Sequence, residues 1–242
     1  MSVAAILLCA GRGERLGAGV EKALAPLAGR PLFLWSLESL ERCAAVEAIV
    51  VVGPVRRLQE AMAAAGFAPA KVVGWTEGGR ERRDSVARGL RALPGGYDFV
   101  AVHDAARALV TPELVARVVG DAVAHGAAIA AVPVADTLKR VALGRVEDTV
   151  PRASLWCAQT PQVFRRDWLE AAHGAPAGVP AGVPALGGSG SGSARSAATD
   201  DAALVEALGH PVHVTEGDAL NLKITTARDL ALAEAWLARR DG

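Results

Sequence analysis

Short, wholly apolar runs recur along this chain with helix-length segments between them, and that alternation constrains the fold more than any single residue does. Val3–Leu8 is an aliphatic and β-branched run followed by a Gly-rich turn, as expected of a strand buried on both faces. Similar runs recur at Ala48–Val52, Val72–Gly74, Phe99–Val102 and Ile129–Val132. Between them, Leu32–Leu40, Leu58–Ala65, Ser85–Leu93 and Pro112–Ala124 carry apolar residues at helical spacing. The last of these opens on Thr111 as an N-cap with Pro112 at the first helical position. Strands alternating with helices predict an α/β fold built on a parallel sheet with right-handed crossovers.

The pattern changes after Pro133. Residues 134–158 alternate short polar and β-branched stretches around Gly144, which predicts a hairpin arm leaving the sheet. Val141, Val146 and Trp156 on such an arm need a partner surface, so a dimer is expected. Residues 174–198 are a Pro/Gly/Ser tract with almost no charge and read as a flexible loop. Regular structure is expected to resume with a capped helix from Thr199 and to close with Ala227–Arg239. At 242 residues the whole, 1–242, is read as a single domain carrying an arm and a loop.

Composition excludes several classes. The chain has 26 basic and 26 acidic residues and no net charge, so it lacks an overall electrostatic footprint for nucleic acid or membrane. No stretch approaches the roughly 20 apolar residues of a spanning helix, and Met1–Ala10 lacks the basic start of a signal peptide. Cys9, Cys43 and Cys157 are odd in number and widely spaced, which argues against a disulfide framework or a zinc site and fits a reducing cytoplasm.

Three polar motifs fall at the ends of the expected strands. Ala10-Gly11-Arg12-Gly13-Glu14-Arg15, followed by Lys22, combines a turn that lets backbone N–H groups approach a nucleotide with cations suited to a triphosphate. It is neither a Walker loop nor a dinucleotide fingerprint, since Leu16 stands where the third glycine of the latter would fall. Gly78-Gly79-Arg80-Glu81-Arg82-Arg83-Asp84-Ser85 offers backbone groups and the Ser85 hydroxyl to a base edge, while Arg82 and Arg83 are equally compatible with a solvated face. His103-Asp104-Ala105-Ala106-Arg107 ends a strand, where open α/β sheets bind ligands. Asp104 suits a metal or a ligand hydroxyl, Arg107 suits a phosphate, and His103 reads as packed. Thr199-Asp200-Asp201 reads as an N-cap with first-turn acids. HExxH, GxSxG and cysteine–histidine arrays are missing, so metalloprotease and hydrolase chemistry lose support.

Taken in order, CAGRGERLG with Glu21-Lys22, EGGRERRDSV, VHDAAR, PVADTLKR, LWCAQTPQVF, TDDAALVE and NLKITT closely resemble the 2-C-methyl-D-erythritol 4-phosphate cytidylyltransferases of the non-mevalonate isoprenoid pathway. The resemblance implies a Rossmann-like, mostly parallel sheet with helices on both faces, and a homodimer whose arms complete each other's sites. It implies transfer of the cytidylyl group of CTP to methylerythritol phosphate with release of pyrophosphate. By position, Arg15, Lys22 and Lys223 match the catalytic cations; Ala10, Gly11, Gly13, Gly79, Ser85 and Asp104 match the nucleotide pocket. Asp104, Arg107, Thr137, Arg152 and Thr160 match the sugar-phosphate side, Thr137 and Arg152 from the partner's arm. Mg²⁺, carried mainly by the triphosphate with no protein ligand assigned, is the implied cofactor.

The family usually has proline before the lysine, alanine at the position of Cys9 and proline at that of Ala108; here Glu21 precedes Lys22. Ribitol 5-phosphate cytidylyltransferases share much of the pattern, so the polyol stays open. A non-catalytic nucleotide-binding regulatory domain is the alternative of a different class. The implied reaction needs no general base, because a phosphate nucleophile is already ionised at neutral pH, and its demand is electrostatic and positional.

Overall fold

Val3–Leu8 forms strand β1, and all six of its side chains are buried. The structure, a computed structural model, describes residues 1–11, 21–174 and 200–240. A short 3₁₀ turn at Lys22–Leu24 leads into a small ladder of β2 (Pro26–Leu27) and β3 (Arg30–Pro31). There follow α1 (Leu32–Arg42), β4 (Ala48–Val52), α2 (Val55–Ala64), β5 (Val72–Thr76), α3 (Arg82–Ala92), β6 (Phe99–Asp104), α4 (Pro112–His125) and β7 (Ala127–Pro133). Then come β8 (Leu138–Ala142), β9 (Arg145–Val150), β10 (Trp156–Arg165), α5 (Arg166–Gly174), α6 (Asp201–Glu206), β11 (His213–Glu216) and α7 (Ala227–Arg240).

Seven strands form one sheet in the order β11-β7-β10-β6-β1-β4-β5. All neighbours are parallel except β10, which runs antiparallel to both β6 and β7. The reversal follows from the connection: the chain leaves the carboxyl end of β7, makes the β8–β9 hairpin and returns down β10. The hairpin therefore stands at the carboxyl end of the sheet, the end where ligands bind in such folds.

Alternation along β1 divides the core. Val3, Ala5 and Leu7 pack with α1, α2 and α4, whereas Ala4, Ile6 and Leu8 pack with α3, α5 and α6. Helices thus cover both faces, as expected. A third cluster seats α7, with Ala233 and Leu237 against Leu27, Leu32, Leu109 and Ile224. Among the described residues no helix is long and apolar enough to cross a membrane.

The hairpin occupies less than the expected 134–158. Trp156, Cys157 and Ala158 pair with β7 and belong to the main sheet, while Val134 N donates to Leu155 O (3.0 Å) to close the base of the arm. At its tip Leu143 and Gly144 both have positive φ, 51° and 75°, the backbone of a two-residue type I′ turn. Leu143, Val146 and Val141 are exposed there. The 174–198 tract lies outside the described residues apart from Gly174, which ends α5. Thr199 is also outside them; the N-cap of α6 is Asp200, whose side chain accepts from Ala203 N.

Candidate active site

Two turns meet at the carboxyl end of the sheet. The first leaves β1 at Ala10 and Gly11; the second leaves β5 and enters α3. They touch so closely that a Cβ on Gly78 would lie 2.3 Å from Ala10 Cβ, and one on Gly79 would lie 2.1 Å from Asp84 Cβ. The paired glycines are therefore a steric requirement. Gly79 N donates to Ser85 Oγ (3.0 Å), which in turn donates to Glu81 O (3.2 Å). Glu81 and Asp84 form a reciprocal capping box, so α3 begins at a fixed point with its positive end beside the turn. Lys22 N donates to Gly11 O (3.2 Å), tying the lysine back to the first turn.

Between these turns lies a cavity of about 220 Å³, lined by Ala10, Gly11, Lys22, Gly79, Arg80, Glu81, Arg82, Ser85, Asp104 and Lys223 together with Leu8, Ala23 and Ala106. Among the described lining residues Lys22, Arg80, Arg82 and Lys223 oppose two carboxylates, an excess of positive charge that suits a polyanion.

A chain of ion pairs runs from the cavity into the protein. Lys223 Nζ donates to Asp104 Oδ2 (2.7 Å), and Arg82 Nε reaches Asp104 Oδ1 (3.3 Å). Arg82 Nη1 then donates to Asp201 Oδ2 (2.6 Å), and Asp201 Oδ1 meets His173 Nε2 (2.9 Å). Burial alone would raise the Asp104 pKa, but Arg82 and Lys223 outweigh it and hold the carboxyl well below the usual range. Burial would likewise lower the Arg82 pKa, and Asp201 and Asp104 reverse that.

The QTPQ segment in the middle of β10 fastens the surrounding loops. Thr160 Oγ1 accepts from Asp104 N (3.1 Å). Gln159 Nε2 donates to Asp218 O (2.8 Å), and Asn221 Nδ2 donates to Thr160 O (2.8 Å). Gln162 Nε2 donates to the Asp200 carboxylate (2.9 Å), holding the start of α6. Arg107 donates to the carbonyls of Asn221 (2.8 Å) and Ala158 (3.1 Å), and Ile224 N donates to Ala106 O (2.8 Å). Lys223 owes its position to these bonds.

His103 is fully buried, and burial lowers its pKa to about 4, so it is neutral at pH 7. Its Nδ1 lies 3.0 Å from Thr160 Oγ1, in agreement with a packing role. Burial pushes the Cys9 thiol far up, making it an inert core residue. Glu21 turns to Arg57 of α2 (3.1 Å) and has φ −60°, the angle a proline imposes. The acid before the lysine thus keeps a proline-like backbone with its charge matched elsewhere.

Of the residues singled out in the sequence, Ala10, Gly11, Lys22, Gly79, Ser85, Asp104 and Lys223 come together at the cavity. Gly13 and Arg15 lie outside the described residues. Arg107 and Thr160 do not line the cavity; their polar groups tether the loops beside Asp104. Thr137 and Arg152 are exposed at the arm, where Arg152 bonds the carbonyl of Ala135. Sequence reasoning missed Arg82 as a lining residue and Asp201 as its partner. One signal was present: a cation in the first turn of a helix opposes the dipole and calls for an anion nearby.

The model of the 2-C-methyl-D-erythritol 4-phosphate cytidylyltransferase family matches residues 3–239. This chain belongs to that family. A curated member from Geobacillus kaustophilus is 42% identical over 243 residues, covering 99% of each chain. Another, from Nocardia farcinica, is 44% identical over 241 residues, 99% of this chain and 95% of that one. The crystal structure of the member from Thermus thermophilus superposes with a TM-score of 0.70 at 33% identity, covering 99% of this chain and all of that one.

Proposed function

We propose that this chain transfers the cytidylyl group of CTP to 2-C-methyl-D-erythritol 4-phosphate, giving 4-diphosphocytidyl-2-C-methyl-D-erythritol and pyrophosphate in isoprenoid precursor synthesis. The observation that carries the reading, in a chain of this family, is the meeting of Lys22, Lys223 and the Gly79–Ser85 turn around one cavity. Residues 57 to 201 positions apart in sequence have no packing reason to place cations and a helix start around a void.

In this reading the Gly79 turn and Ser85 receive the base. The Ser85 hydroxyl already donates to Glu81 O and accepts from Gly79 N, which leaves one acceptor site on its oxygen. The backbone of Ala10 and Gly11, which lines the cavity, faces the phosphates. A phosphate oxygen of the polyol attacks the α-phosphorus in line; a P–O bond forms as the α–β anhydride bond breaks, and the electron pair leaves with pyrophosphate. Lys22, Lys223 and Arg15 stabilise the charge that grows on the α-phosphoryl oxygens. Asp104 holds Lys223 at the cavity mouth until the nucleotide offers it a stronger anion.

Among the described residues no group of three or more His, Cys, Asp or Glu side chains is arranged to hold a metal. Both oxygens of Asp104 face cations. This donor set fits Mg²⁺ carried on the triphosphate's own oxygens and water. When bound, the ion neutralises part of the triphosphate charge.

The arm supports a homodimer. Its exposed apolar tip and the placement of Thr137 and Arg152 away from this chain's own cavity suit a site completed by a second copy, with the chain acting as one domain. A cytoplasmic setting agrees with the buried, unpaired Cys9 and Cys43. Substrate profiling tests the proposal: pyrophosphate release is measured with CTP and methylerythritol phosphate beside ribitol 5-phosphate. Preferential turnover of methylerythritol phosphate supports it, and preference for ribitol 5-phosphate overturns the choice of substrate.

A further inference from the structure

Arg82 joins two carboxylates of very different surroundings. Asp104 belongs to the cavity. Asp201 is fully buried, opens α6, and is reached on its other oxygen by His173 of α5, whose side chain is equally buried. The contact to Asp201 is the shorter of the two, 2.6 Å against 3.3 Å, so the guanidinium is anchored from behind and extends its Nε toward Asp104. Its remaining nitrogen, Nη2, is buried without a hydrogen-bond partner. A buried ion pair contributes little net stability against a well-packed apolar pair, so retaining three such contacts needs a reason beyond stability. The pair also joins α3, which lines the cavity, to α6, which does not.

We infer that Asp201, backed by His173, is a positioning residue that fixes Arg82 at the nucleotide cavity, and through Arg82 sets the position of Asp104 and Lys223. The inference rests on the cytidylyltransferase reading of the same cavity. An Arg82 released from Asp201 would be free to swing onto Asp104 as a bidentate partner and disturb the Lys223 contact. A structural ion pair would affect melting and leave CTP affinity and turnover alone.

A double-mutant cycle on the full chain separates the two. Asp201→Asn, Arg82→Gln and the double variant are compared in CTP affinity by calorimetry and in kcat and KM by pyrophosphate release, with Tm as the control for folding. Asp201→Asn is expected to lower kcat/KM at least tenfold and to weaken CTP binding several-fold, yet to have less than a twofold effect once Arg82 is Gln. His173→Gln is expected to act in the same direction by about threefold, and only while Arg82 is present. Additive effects, or a lowered Tm with unchanged affinity and turnover, would overturn the inference. If Asp201→Asn does not fold, Asp201→Glu, which keeps the charge but moves it, reads the same coupling. CTP affinity reports the coupling without turnover, so a wild-type chain that binds CTP and releases no pyrophosphate would overturn the catalytic reading while the cycle still decides the role of Asp201.

Discussion

Lys223 Nζ donates to Asp104 Oδ2 across 2.7 Å, joining residues 119 positions apart at the mouth of one cavity. The pair aims a flexible cation at the cavity, with Asp104 as the carboxylate that orients it. Lys223→Ala is expected to lower kcat by on the order of 10²-fold, the usual cost of losing a transition-state charge partner. Lys22→Ala should do the same. Steady-state pyrophosphate release checks both, and turnover within a few-fold of wild type would remove them from the catalytic set.

Buried His103 governs stability at mildly acid pH. Its folded pKa is about 4 and its ordinary value 6.5, so between these the unfolded chain binds more protons than the folded one. Stability is therefore full above about pH 6.5 and falls as the pH drops toward 4, by on the order of 3 kcal/mol for this group. Asp104 adds a second loss: its folded pKa lies below the ordinary 3.8, so its contribution fades as pH falls below that value. Tm measured from pH 7.5 to 3 should show both phases, and His103→Gln should flatten the first alone. A wild-type Tm that holds steady from pH 7 to 4.5 would contradict the assignment.

The outline of the fold was legible where apolar runs are uninterrupted. β1 and β4 fall on the limits read from sequence, because all their side chains are buried and aliphatic. β10 was not read as a strand. Its buried Gln159, Thr160 and Gln162 break the apolar pattern, and their burial makes sense only beside the loops they hold. β11, an edge strand with three of four residues exposed, has no apolar run to show. At the site, the motifs around Lys22, Ser85 and Asp104 carried chemistry of their own, whereas Lys223 was reached only through the resemblance to the family, because its segment shows no pattern by itself. The Arg82–Asp201 pair could not be picked out, since its members lie 119 residues apart and each has an adequate local explanation, a solvated cation and a helix-start acid.

Gly78 tests how tightly the two turns must meet. A methyl group there would overlap Ala10 Cβ at 2.3 Å, so Gly78→Ala must push the first turn away from the second. A cost of roughly 1–3 kcal/mol in stability is expected from such overpacking. CTP affinity should fall as well, by tenfold or more, because both turns face the nucleotide. Calorimetric titration beside thermal melting checks this; full affinity at a lowered Tm would detach the contact from binding.

The arm makes a prediction about pairs of chains. If Arg152 serves the partner's cavity, Arg152→Ala and Lys22→Ala proteins are each impaired, yet mixing them after subunit exchange should restore part of the activity in heterodimers. Intact sites arise there from one wild-type cavity and one wild-type arm. Absence of recovery once exchange is confirmed would return Arg152 to its own chain.

In the proposed function, the cavity bounded by Lys22, Lys223 and the Gly79–Ser85 turn joins CTP to a polyol phosphate. Phosphorus NMR of the wild-type chain with CTP, Mg²⁺ and methylerythritol phosphate follows that bond directly. The expected result is growth of a new diphosphodiester with an equal amount of pyrophosphate, abolished in Lys22→Ala protein that still melts cooperatively. CTP that stays intact in the presence of folded wild-type protein, or is hydrolysed without a diphosphodiester, would contradict it.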